Sequence, residues 1–163
     1  LGTAQLISAL GSGSVQAAQM NPPFLYYAKK KGFRELLDVG AYIQMPLGGL
    51  TASTASIQNR AGELKRIIRS MQVARRMLFQ SQEKGVDLIM RTLRVDRETA
   101  EISYADYRKT SSGNGVPTRE GMEQIVKSLQ LLGQFTGRKV AFEEIADPRI
   151  AREVAKELGY TVE

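Results

Sequence analysis

The chain has 163 residues, 42% of them hydrophobic, which bounds it to about one domain with a real core and argues against disorder. It contains no cysteine and no histidine, so disulfides, thiol catalysis, cysteine metal sites and histidine-based acid–base machinery are excluded. The net charge of +6 is compatible with nucleic acid, anionic lipid or a small anionic ligand, and no run of about 20 apolar residues is present to span a membrane.

No signal peptide is visible, and the chain opens on Leu1 inside a helix-like pattern, LGTAQLISALGSG. It reads as a piece of something longer. Residues 1–10 predict a helix with Leu6, Ile7 and Leu10 on one face, Thr3 as N-cap and Gly11-Ser12-Gly13 as its end. Residues 15–20 read as a short strand. It must stop at Asn21-Pro22-Pro23, because proline has no N–H to continue a ladder. The same prolines suit the start of a helix. Residues 24–31 place Phe24, Leu25, Tyr27 and Ala28 at helical spacing, with lysines in the last turn and Gly32 at the stop. Residues 33–39 resume an extended, partly apolar run. Strand, helix and strand in this rhythm predict a βαβ unit and a parallel sheet.

Ligands of open parallel sheets bind at the carboxyl ends of strands. That makes the Asn21-Pro22-Pro23 turn a candidate binding feature, offering the Asn21 amide and a helix N-terminus suited to an anion. The plainer reading is a strand stop followed by a helix start. Residues 40–52 carry Pro46 and the Gly48-Gly49 pair and lead to a strand at residues 50–52. They read either as a loop or as a crossover whose backbone lines a cleft.

Ser53 or Thr54 caps a short turn. Residues 61–84 predict the longest helix, with Leu64, Ile67, Ile68, Met71, Ala74, Met77 and Leu78 at three- and four-residue steps and a buried stripe as the expected result. Lys65, Arg66, Arg69, Arg75 and Arg76 fill much of the rest, as a solvated face or as an anionic-polymer surface. No aromatic residues interleave with them as single-strand binding requires. Residues 85–93 predict another helix. Asp96 caps one from residue 97 to about 109, and Thr118 caps the next. Asp147-Pro148 opens a final helix, followed by a tail at residues 160–163. The back half is almost all helical.

Taken together, Ala4-Gln5-Leu6, Ala9-Leu10, Gly13, Val15, Ala17-Ala18, Pro22-Pro23-Phe24, Gly32-Phe33-Arg34, Leu36-Leu37-Asp38 and Gly40 form an ordered series. With Gly49-Leu50, a long helix, Val95-Asp96, Tyr104 and Tyr107 after it, the series resembles the solute-binding proteins of ABC importers, in the group that takes nitrate, sulfonates, taurine or thiamine precursors. The resemblance covers nearly the whole chain. It implies an α/β, periplasmic-binding-protein-like two-lobe fold of type II, present in part, with a few parallel strands and a helix-rich back half. It implies residues 1–44 as the end of lobe two and residues 45–163 as the returning C-terminal part of lobe one. It implies a binding role without catalysis, with Asn21, Pro22, Gly48 and Gly49 facing the solute and no metal or cofactor. The implied partners are a small solute and a membrane permease, with no nucleic acid, and self-association is expected of a fragment. The implied location is periplasmic or extracellular, with a lipoprotein anchor compatible. Gln16, Gln19 and Met20 stand where relatives often carry an acidic or aromatic residue, so the solute is unassigned.

A regulator's ligand-sensing domain of the same architecture is the alternative. An enzyme has less behind it: Glu35, Asp38, Asp106 and Glu143 are scattered, with no paired-carboxylate spacing.

Overall fold

The computed structural model describes residues 3–43 and 45–162, without the side chains of residues 3 and 4. The Thr3 cap, the Ala4 motif position, Gln44 at the expected lobe boundary and Glu163 of the tail lie outside the described residues.

The elements are α1 (Thr3–Gly11), α2 (Phe24–Lys30), a 3-10 turn (Val39–Ala41), α3 (Thr54–Asn59), α4 (Ala61–Gln80), α5 (Gln82–Leu93), α6 (Arg97–Thr110), α7 (Arg119–Leu131), α8 (Phe142–Ile145) and α9 (Arg149–Glu157). No strand occurs among the described residues, which overturns the α/β expectation and its parallel sheet. The physical reason is pairing. A strand is stable only beside another strand, because its backbone groups need partners. The segments expected as strands at residues 15–20, 33–39 and 50–52 find none. The Val15 N–H turns back to the Ala9 carbonyl at 3.4 Å and the Phe33 N–H to the Ala28 carbonyl at 3.1 Å, so each closes the helix before it. Asp38 accepts from the Gly40 N–H at 3.0 Å and folds the end of the second segment into the 3-10 turn.

Helix starts follow their caps. Ser53, Asp96 and Thr118 accept from the N–H groups of Ser56, Thr99 and Gly121. The helix expected over residues 61–84 instead ends at Gln80. Ser81 takes an extended conformation and caps α5 through the Lys84 N–H. Gly85 therefore lies inside α5 rather than opening it. A Cβ there would fall 2.4 Å from the Tyr104 ring, so the glycine is a packing requirement.

The chain forms two compact units, Leu1–Leu37 with Met77–Ser111, and Asp38–Arg76 with Ser112–Glu163. In the first, Val86, Val95, Ala100 and Tyr104 are buried, with Tyr27, Leu78, Phe79, Ile89 and Met90 packed around them. The Tyr104 hydroxyl donates to the Leu78 carbonyl at 3.3 Å, and its ring meets Phe79 edge-on. Helix α2 is tied to α6 and its cap: the Tyr26 hydroxyl donates to Asp106, and Lys30 pairs with Asp96 and Glu98 at 2.8 and 2.7 Å. Lys30, followed by the Thr99 N–H, holds the Asp96 carboxyl well below the usual range.

In the second unit, Val116, Ala151 and Ala155 are buried together, with Tyr160 and Val162 against them. Val126, Phe142 and Val154 are buried as well. Pro46 seats on Gly121, where a Cβ would come within 2.9 Å of its ring. That contact gives a reason for glycine at the third residue of α7, where a capping box would carry Glu or Gln.

The expected buried stripe of α4 is only partly realised. Leu64, Ile68 and Leu78 are half-buried, whereas Ile67, Met71 and Met77 are 46%, 55% and 63% exposed. The cause is a competing stripe. Lys65, Arg69, Gln72 and Arg76 also recur at helical spacing, and these side chains take the contacts with α9 and the segments beside it. Alanine at Ile67 or Met71 should therefore change stability by no more than about 0.5 kcal/mol in urea unfolding. A loss near 2 kcal/mol at either position would place it in the core after all.

Candidate functional site

Asn21 and Pro22 are exposed at the mouth of α2, and Pro23 is buried behind them. The Pro22–Pro23 bond is cis. The Asn21 carbonyl accepts from the Leu25 N–H at 3.2 Å, and the Pro23 carbonyl accepts from the N–H groups of Tyr26 and Tyr27 at 3.0 and 3.3 Å. These three early amides of the helix are thus engaged within the turn. The helix is also only seven residues long, so its aligned dipole is short. The segment entering this turn is irregular, which corrects the expected strand-to-helix junction to a loop-to-helix one. The Asn21 side chain makes no hydrogen bond to the described residues, and its amide presents one acceptor and two donors outward.

Gly48 and Gly49 belong to the second unit and are exposed. A Cβ built on either meets nothing within 4 Å, so the backbone there is uncovered. No backbone hydrogen bond joins residues 45–52 to the described residues. The segment is nonetheless held at both ends, by Pro46 on Gly121 and by Ser53 capping α3. Two consecutive glycine N–H groups facing open space can donate to one oxyanion or to another backbone.

The basic residues of α4 are differently employed. Lys65 pairs with Glu153 and Glu157 at 2.5 and 2.7 Å, and Arg69 also pairs with Glu157. The Lys65 contact, with both cations adding, holds the Glu157 carboxyl below its ordinary range. Arg76 donates to the Leu158 carbonyl at 2.6 Å and to the Tyr160 hydroxyl, and it lies 5.0 Å from the centre of that ring. Arg75 donates to the Ser112 and Gly113 carbonyls and also faces the Tyr160 ring. Gln72, which is buried, donates to the Asn114 carbonyl at 2.7 Å. These cations bind the chain's own α9 and tail, a third role beside the two read from the sequence. Its sequence signal was present: positive residues four apart in α4 and Glu153 and Glu157 four apart in α9 are complementary stripes.

A hollow of about 330 Å³ in the first unit is lined by Asp87, Met90 and Arg91. Its polar groups have partners: Asp87 faces Arg97 at 3.3 Å, and Arg91 donates to the Asp87 carbonyl. Among the described residues, no group of three or more acidic side chains could hold a metal ion, and no helix is long and apolar enough to cross a membrane. Glu35 faces Lys29, Asp106 accepts from Tyr26 and Glu143 pairs with Arg119, each carboxylate having its own partner. Compared with protein-family models, curated proteins and solved structures, the chain matches none.

Proposed function

We propose that this chain is the solute-binding component of an ABC importer, acting outside the cytoplasm and handing a small anionic or thiamine-precursor-like solute to a membrane permease. The solute accepts hydrogen bonds from the Asn21 amide and the N–H groups of Gly48 and Gly49, while Pro22 offers an apolar surface. No bond in the solute is made or broken. The observation that carries this reading is the distribution of open donors. Asn21, Gly48 and Gly49, the donors that the motif series designates, are left without partners among the described residues. The more conspicuous cations Lys65, Arg69, Arg75 and Arg76 are engaged internally. Sulfonate, carboxylate and nitrate oxygens accept such bonds well, because the charge on the acceptor strengthens them.

These donors are exposed, so water competes for each of them and the affinity of the chain itself is weak. Equilibrium dialysis against taurine, an alkyl sulfonate, nitrate and a thiamine precursor should give dissociation constants of about 1 mM or weaker for at least one solute. Substituting Asn21→Ala should lower the uptake of that solute. Equal retention of all four and of a cationic control such as choline, or no retention at all, would remove the proposal.

A further inference from the structure

Residues 39–59 carry no Asp, Glu, Lys or Arg, although 25% of the whole chain is charged. Within this stretch Leu47 and Leu50 are 84% and 47% exposed, and the backbone of residues 45–52 has no hydrogen-bond partner among the described residues. A row of unpaired N–H and C=O groups flanked by bare leucines is a template for another strand. Natural edges are usually protected by charges, and here none is present. Gly48 and Gly49 leave room for a second backbone to approach, and the anchors at Pro46 and Ser53 hold the segment in place.

We propose that residues 47–52 pair with the same residues of a second copy of this chain, antiparallel about a two-fold axis. The charge distribution identifies the occupant. Two copies, each at +6, repel one another over most of their surfaces. The uncharged stretch is where they can touch without opposing like charges. An antiparallel pair of identical segments supplies each donor with an acceptor, and a two-fold contact closes at the dimer. Pro46, which lacks an N–H, ends the ladder on one side. This inference does not rest on the solute reading.

Sedimentation velocity on the whole chain should show a monomer–dimer equilibrium with a dissociation constant of about 1–100 μM. Added salt should tighten it, because it screens the repulsion. The double variant Leu47→Lys with Leu50→Lys should weaken association by about tenfold or more, through like charges facing each other in the pair. Leu131→Lys with Leu132→Lys alters another exposed leucine pair, 90% and 77% exposed, and should leave association unchanged. In the unaltered chain, amide exchange at residues 47–52 should slow as concentration rises. A chain that stays monomeric across this range, association lost only in the Leu131/Leu132 variant, or exchange at residues 47–52 independent of concentration would each overturn the proposal.

Discussion

Replacing Tyr104 with alanine is expected to cost about 3–5 kcal/mol. Tyr104 is 2% exposed at the centre of the first unit and touches Phe79 edge-on. Truncation leaves a ring-sized void beneath Gly85, and the Leu78 carbonyl loses its donor. Tyr104→Phe keeps the ring and removes only that bond, a loss of about 1 kcal/mol. Gly85→Ala should be destabilising for the opposite reason, by about 1–3 kcal/mol, since the new methyl overlaps the ring. Combined with Tyr104→Ala the glycine variant should be far less harmful, because the truncation opens space for the methyl. Urea unfolding of the four chains measures this. A cost below about 1 kcal/mol for Tyr104→Ala would show that the ring is not the centre of this core.

Gly115→Ala is expected to cost about 2–4 kcal/mol through two additive causes, backbone strain and a lost buried hydrogen bond. Gly115 has φ of +69°, where an L side chain is strained. Its added Cβ would fall 1.6 Å from the Gln72 side-chain nitrogen. Gln72 is buried and cannot swing aside without giving up the Asn114 carbonyl and the bond it accepts from Arg75. Amide exchange should accelerate at Asn114 and Val116, whose turn is built on that contact. Gln72→Ala removes the obstacle, so the glycine substitution in that background should cost only the strain, about 1 kcal/mol. Equal costs in the two backgrounds would refute the role assigned to Gln72.

The helices were legible because each carries its own start signal. Ser53, Asp96 and Thr118 are side chains that bond to amides two or three residues ahead, and such contacts need nothing from the rest of the chain. The sheet was not legible in the same sense. Residues 15–20 and 33–39 have strand-like composition, but a ladder requires a neighbour that local sequence does not supply. The buried face of α4 was misread for a related reason. Hydrophobic spacing at Leu64, Ile67, Ile68 and Met71 indicates a face that can be buried, whereas Lys65 and Arg69 show the face that is paired. Reading α4 against Glu153 and Glu157 in α9 would have exposed the second pattern.

For the candidate site, sequence indicated the turn at Asn21 and the Gly48-Gly49 pair. It did not show that the early amides of α2 are engaged within the turn, because that depends on turn geometry at Pro23. Nor did it show that the basic stripe is occupied by the chain's own carboxylates and carbonyls.

The solute-binding claim meets its most direct test in an amide-resolved NMR titration of the dilute chain with taurine and an alkyl sulfonate. The proposal predicts progressive shifts at the Asn21 side-chain amide and at the Gly48 and Gly49 N–H groups, with the arginines of α4 unmoved. Shifts confined to Arg69, Arg75 and Arg76, or no shift at Asn21, Gly48 and Gly49 with either solute, would contradict it.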